Sequence, residues 1–235
     1  MPFQQHEQTG LVWFTADVLN DVPHGFSTRK GGVSPAPWDS LNLRPEQGDG
    51  PEKLRENYRR FFAALGLDET RAVLSQQTHT ANIRPVTAED AGKGLLRPRD
   101  YSDVDALITN VPNLSLTVFS ADCGTVLLCD PVHQAIGAIH AGWRGCAAGI
   151  VGKTVAMQAA LGADADAYIT VKGPKFHVDL AGLNRQWLLR AGLLPERIEV
   201  SGICTACRPD LFWSHRKMGD QRGVQVAVIS LKEGL

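Results

Sequence analysis

The chain has 235 residues, enough for one domain that buries about 70–75% of the surface its unfolded form exposes, so its fold needs no covalent staples. Hydrophobic residues make up 43% and charged residues 21%, and 24 Lys plus Arg against 25 Asp plus Glu leave a net charge of −1, which argues against a general nucleic-acid binder. No apolar run approaches the roughly 20 residues of a membrane span, the N-terminus lacks the basic and apolar stretches of a signal peptide, and an odd count of five cysteines suits a reduced cytoplasmic protein.

No internal repeat and no domain boundary is visible, so residues 1–235 are read as a single domain. Residues 24–43 are rich in Gly, Pro and Ser yet keep regular apolar spacing, which predicts a long functional loop. Pro51 to Leu65 reads as a helix: Leu54, Tyr58, Phe61, Phe62 and Leu65 share one face, Pro51 suits the first turn, and Gly66 suits the stop. Residues 89–103 are polar and read as a surface loop. The short apolar runs Leu114–Ser120, Thr125–Cys129 and Ala135–His140 predict central strands. Arg144 to Leu161 reads as a helix with a stripe at Ile150, Val151, Val155 and Ala159. Ala167–Lys172 follows as a strand, Leu183–Ala191 as a helix stopped by Gly192, and Arg197–Ser201 and Val224–Leu231 as late strands. Short apolar segments separated by Gly, Pro, Asp and Asn are the punctuation of a mixed α and β domain.

Three segments place a good metal ligand near a strand end: Gln76-Gln-Thr-His-Thr80, Ser120-Ala-Asp-Cys123 and Ile139-His-Ala-Gly-Trp-Arg-Gly145. Together His79, Cys123 and His140 offer two imidazoles and one thiolate. Three protein ligands with one open position is the composition of catalytic zinc, and it overlaps the ligand sets of copper. A lone His or a buried Cys is more often structural, so the three gain weight only as a set. The Gly-rich turn after His140 leads into a helix, where backbone N–H groups favour an anion, and Arg144 adds a fixed charge there. An ordinary tight turn with a surface arginine is the alternative.

Ser27-Thr-Arg-Lys-Gly-Gly-Val-Ser34, Asp39-Ser-Leu-Asn-Leu43, Ser120-Ala-Asp-Cys123, His140-Ala-Gly-Trp-Arg-Gly145 and Phe212-Trp-Ser-His-Arg216 occur in that order. As an ordered set they resemble the laccase-domain, or multicopper polyphenol oxidase, family, whose members are also described as purine nucleoside phosphorylases with side activities. The likeness runs from about residue 24 to 230. It implies an α/β fold of mixed β-sheets flanked by helices, similar to that of a toxin deamidase with a Cys–His pair. It implies a metal or catalytic trio at His79, Cys123 and His140, and it places Arg29 beside the substrate pocket. The implied partners are a purine nucleoside and phosphate, with Arg29 and Arg144 holding the phosphate or ribose and His140 or His79 protonating the leaving base. The implied metal is zinc, with copper as the alternative, and zinc-activated water would add adenosine deamination. Three departures stand out: Thr80 replaces a Gly, Gly124-Thr125 replaces an apolar residue and Pro, and the segment after Pro174 is shorter than in the family.

Other readings stay open. Cys123 as nucleophile and His140 as base would make a hydrolase of small amides, and loss of the segment after Pro174 would leave a binding module. Copper oxidation is poorly supported, because a copper cluster draws on many histidines and this chain has seven, none as His-x-His. A cytidine-type zinc deaminase needs H-x-E and P-C-x-x-C; the chain has no H-x-E, and Ile203 precedes Cys204. Cys204-Thr-Ala-Cys207, with no second C-x-x-C, reads as two reduced cysteines. Asp122, one residue from Cys123, would point to the other face of an extended strand and reads as a supporting residue.

Overall fold

A computed structural model describes residues 3–45, 50–156, 169–172 and 175–233, the backbone alone at 169–172 and 175–177. Two sheets stack face to face between helices, giving four layers. The first sheet has six strands: β1 (Phe3–Gln8), β2 (Leu11–Ala16), β3 (His24–Ser27), β4 (Ala72–Leu74), β7 (Ser115–Ser120) and β12 (Gln225–Ser230), in the order β1-β2-β3-β12-β7-β4. The second has four: β5 (Ile83–Pro85), β6 (Ala106–Thr109), β8 (Gly124–Asp130) and β9 (Ala135–Ala141), in the order β5-β6-β9-β8. Only β4–β7 and β5–β6 pair in parallel within these two sheets. A separate hairpin joins β10 (Ile169–Lys172) to β11 (Lys175–Val178).

The period of two in each strand decides which layer a side chain enters. On β12, Ala227 and Ile229 face the second sheet, while Val226 and Val228 face the opposite side. On β9, Ile136 and Ala138 enter the space between the sheets and Ile139 and Ala141 enter the outer layer. Helix α1 (Pro51–Ala64) covers the first sheet with Tyr58, Phe61 and Phe62, all fully buried. Each such side chain contributes about 1.5–3 kcal/mol of burial free energy. Helices α2 (Trp143–Ala147), α3 (Ile150–Ala156) and α4 (Leu180–Arg190) cover the second sheet through Cys146, Ile150, Val151, Trp187 and Leu188. A short α5 (His215–Met218) precedes β12. The mixed sheets flanked by helices match the expected class.

α1 and the strands β7, β8, β9 and β12 lie within a residue or so of their predicted bounds. The predicted helix from Arg144 is two helices, because Gly149 takes φ +75° between them and faces Trp187. Its stripe holds as far as Val155; Ala159 lies outside the described residues. Helix α4 starts at Leu180, where the Asp179 side chain accepts from Gly182 N–H and caps it. Arg197–Ser201 is not a strand: Pro195–Arg197 form a turn of 3-10 helix and the chain then runs irregularly. The expected long loop at 24–43 begins as strand β3 and becomes a loop after Ser27. Ala167 and Tyr168, the predicted start of β10, and the shortened segment after Pro174 fall at the edge of or outside the described residues.

Candidate active site

Two residues of the expected trio sit on connections between the sheets and the third on a strand of the second sheet. His79 lies on the crossing from β4 to β5, Cys123 on the tight turn from β7 to β8, and His140 near the end of β9. His140 shares the parity of Ile136 and Ala138, so it points between the sheets and is buried. The pairing of Ala106 with Ile139 sets Asp105 beside His140. The Asp105 carbonyl accepts from His140 N–H at 2.8 Å, and its carboxylate meets His140 Nδ1 at 2.7 Å.

That carboxylate is the organiser of the site, and nothing in the sequence reading marked it. It is fully buried and also accepts from the N–H groups of Thr78, His79 and Thr80 and from the Thr80 hydroxyl, at 3.0–3.1 Å. These bonds hold His79 at φ +66°, a left-handed conformation that a non-Gly residue seldom adopts. Thr80 is thus tied into the same anchor. Burial pushes the Asp105 carboxyl up, but the bonds from His140 and the backbone N–H groups outweigh it and bring it to about 2. Burial pushes the His140 imidazole down, and its contacts with Asp105 and Cys123 outweigh that and raise it to about 9. His79 is lowered, by burial first and then by the charges of His140 and Arg144. The one available signal for Asp105 was an acid at the head of the apolar run Ala106–Ile108.

The trio comes together. One ligand atom from each of His79, Cys123 and His140 lies within 4.8 Å of the others. Cys123 Sγ is 3.8 Å from His79 Nε2, and the two imidazole rings meet edge to face at 4.9 Å. With Nδ1 of His140 given to ionised Asp105, its Nε2 is the atom left for a metal, the arrangement in which an outer carboxylate fixes a ligand's tautomer. Gly142 closes the cradle. A Cβ there would stand 2.9 Å from His79 Cδ2, 3.3 Å from Cys123 Sγ and 3.4 Å from His140 Cε1. A Cβ at Gly145 would meet the Thr80 carbonyl at 2.7 Å. Both glycines of the His140–Gly145 stretch therefore let the His79 turn approach the end of β9. Two nitrogens, one sulfur and an open side fit a zinc ion, and the same donors accept copper.

Around the trio the expected groups separate. Asp122 takes φ +96° in the turn before Cys123, and its carboxylate accepts from the Thr205 hydroxyl at 2.9 Å and from Arg216 N–H at 2.8 Å. It is a supporting residue, as expected. Arg144 is exposed at the start of α2, with its guanidinium 4.7 Å over the Trp143 ring, and has no carboxylate partner among the described residues. Arg29 is differently placed. Its guanidinium donates to the Asp39 carbonyl at 2.8 Å and the Pro209 carbonyl at 3.0 Å and lies 4.1 Å over Trp213. Half-buried Arg222 adds a cation that the sequence reading missed; its Nε has no hydrogen-bond partner among the described residues, and burial and then Arg44 hold its guanidinium below the usual range. A cavity of about 1050 Å³ opens beside Cys123, lined in part by Phe14, Phe26, Phe212 and Leu188. His79 and His140 are not among its walls, so the trio sits at its rim.

The chain matches the family described as multi-copper polyphenol oxidoreductase laccase over residues 23–177 and 172–232. The chain belongs to this family. The two stretches of the match overlap at residues 172–177, within the β10–β11 hairpin. Among curated members, a purine nucleoside phosphorylase of Deinococcus radiodurans is 34% identical, covering 89% of each chain. Purine nucleoside phosphorylase YlmD of Bacillus subtilis is 30% identical over 91% of this chain and 90% of its own. The crystal structure of YfiH from Bacillus licheniformis, another relative at 30% identity, superposes with a TM-score of 0.87 and covers 98% of this chain and 99% of its own. No helix among the described residues is long and apolar enough to cross a membrane.

Proposed function

We propose that the protein is a purine nucleoside phosphorylase whose centre is the His79–Cys123–His140 trio. The observation that carries this reading is the trio itself, anchored by Asp105 and set at the rim of an apolar cavity, in a chain that shares its length and fold with relatives bearing that name. In phosphorolysis a phosphate oxygen bonds to the ribose anomeric carbon while the glycosidic C–N bond breaks, its electron pair leaving with the purine, which takes up a proton. Zinc, held by the three side chains, would supply Lewis-acid polarisation of a bound oxygen. The chain's own residues do the rest. The apolar part of the cavity wall, with Phe14, Phe26 and Phe212, would take up a planar base. Arg144 is the nearer choice for holding phosphate, since it has no carboxylate partner, whereas Arg29 would first have to release the Asp39 and Pro209 carbonyls. Arg222 adds to the positive field near Cys123. An imidazole cannot ligate metal through Nε2 and donate a proton from it at once, so His140 and His79 act as ligands or as acids, not both.

The deciding experiment is chromatography of adenosine and inosine incubated with purified protein, with and without phosphate. Free base and ribose 1-phosphate appearing only with phosphate support the reading. Inosine formed from adenosine regardless of phosphate would mean that activated water, not phosphate, is the nucleophile. Arg144→Ala should raise the phosphate KM more than Arg29→Ala does; equal effects would overturn the assignment of Arg144.

A second reading has its own observation. Asp105, His140 and Cys123 form a carboxylate–imidazole–thiol chain, the ordering used by cysteine hydrolases. Rapid single-site alkylation of Cys123 in a metal-free protein that hydrolyses small amides would favour it. Tight stoichiometric zinc on the sulfur would exclude it.

A further inference from the structure

We propose that Cys204 and Cys207 form a reversible dithiol–disulfide site, oxidised by small-molecule disulfides of the glutathione type, whose state is passed to the Asp122–Cys123 turn through Thr205. Both cysteines are free and exposed. They bracket one turn of 3-10 helix, Thr205–Cys207, with Cys204 as its cap and Cys207 N–H donating to the Cys204 carbonyl at 3.1 Å. That i to i+3 bond holds the two Cα atoms within about 7 Å, the reach a disulfide requires. The Cys207 thiol, then the N–H groups of Cys207 and Ala206, hold the Cys204 thiol low against burial and the nearby Asp122. Cys204 is therefore the attacking sulfur and Cys207 the resolving one.

The residue between them gives the pair a route to the site. The Thr205 hydroxyl donates to Asp122 Oδ1 at 2.9 Å, and Asp122 immediately precedes Cys123. Asp122 sits at φ +96°, held there by this bond and by Arg216 N–H. Cys204, Thr205, Asp122 and Cys123 also share one wall of the cavity. The chemistry balances without a protein cofactor. The Cys204 thiolate attacks one sulfur of the small disulfide and expels a thiolate. The Cys207 thiolate then attacks the Cys204 sulfur and expels the second, so two protein thiols lose two electrons and two protons and the small disulfide becomes two thiols. Closing the bond tightens the turn and draws the Thr205 hydroxyl from Asp122, which loosens the strained residue that aims Cys123.

The test uses the full chain and no turnover assay, so it stands apart from the phosphorylase reading; only its zinc readout rests on the metal trio. Protein is incubated with oxidised glutathione, free thiols are blocked, and peptides are mapped by mass spectrometry before and after dithiothreitol. Zinc affinity is then measured by chelator competition in both states. The expected result is a reversible Cys204–Cys207 bond and about a tenfold weaker zinc affinity, the size of effect seen when an outer partner of a ligand is lost. Thr205→Val should still form the disulfide while its zinc affinity no longer responds. The Cys204→Ser/Cys207→Ser variant should keep its zinc affinity through the oxidant. Glutathione adducts without a Cys204–Cys207 bond, or a disulfide that leaves zinc affinity unchanged, would overturn the proposal. So would an equal loss in the double variant, since the oxidation would then lie on Cys123.

Discussion

The Asp105 carboxylate takes part in five hydrogen bonds, and every one ends on His140 or on the Thr78–Thr80 turn that carries His79. Asp105→Asn keeps the shape, but its amide nitrogen is itself a donor and faces N–H groups that now lack the carboxylate oxygen they donated to. Zinc affinity should fall about 10–100-fold, measurable by chelator competition; an unchanged affinity would mean that the trio is held by other contacts. The same pair gives a pH signature. His140 is raised from 6.5 to about 9, so its contribution to metal-free stability is complete below 6.5 and is lost as pH rises through about 9. Asp105 is depressed from 3.8 to about 2, so its contribution is complete above 3.8 and is lost as pH falls toward 2. Both shifts describe one interaction, counted once. Denaturation of metal-free protein should show stability declining between pH 6.5 and 9, and Asp105→Asn should flatten that decline. Zinc affinity should rise over the same range, because the metal must displace the His140 Nε2 proton. Gly142→Ala should abolish zinc binding while circular dichroism stays native, since its Cβ would enter the space between the three ligands.

At the scale of elements, α2 and α3 show how one residue turns a predicted helix into two. Cys146 to Gly149 close the first helix, and the Cys146 carbonyl accepts from Trp187 Nε1 at 3.0 Å. At Gly149, φ is +75° and a Cβ would lie 2.6 Å from the Trp187 ring. Gly149→Ala should cost about 2–4 kcal/mol in urea unfolding, from the left-handed backbone and the crowded ring together; a loss below about 0.5 kcal/mol would show that Trp187 moves aside freely. The elements that periodicity revealed were those with a clean apolar stripe or run: α1 with its three aromatics, and β7, β8, β9 and β12. β1 escaped notice because after Phe3 it is polar and mostly exposed, held by pairing with β2; the buried apolar run of β2 was not singled out either. β4 and β5 have three residues each, too few to show a period. Arg197–Ser201 alternates like a strand, yet Pro195 starts a 3-10 turn and no partner strand receives it among the described residues.

For the whole molecule, the trio is a clasp between layers. β7 belongs to the first sheet and β8 to the second, and Cys123 lies on the turn between them; His79 lies on the crossing from β4 to β5; His140 closes β9. A metal that joins all three therefore joins both sheets. Zinc at about 1,000 times its Kd should raise the stability of the whole chain by about 4 kcal/mol in one transition, and Cys123→Ser should remove most of the gain. A gain confined to one spectroscopic probe would mean that the sheets unfold separately.

The sequence by itself determined the class of the fold, the helix α1, the central strands and the three residues of the candidate trio, because apolar period and short motifs are local properties. It also named Arg29 and Arg144, but not that one guanidinium is spent on backbone carbonyls while the other stands over a tryptophan face. The tertiary structure alone decided Asp105, whose role comes from the register that sets Ala106 against Ile139. It alone decided Gly142, whose missing side chain is the space that the ligands share. It alone joined Thr205 to Asp122 across 83 residues. Each of these depends on which strands pair and in what register, and that is settled by the packing of the two sheets rather than by any window of sequence.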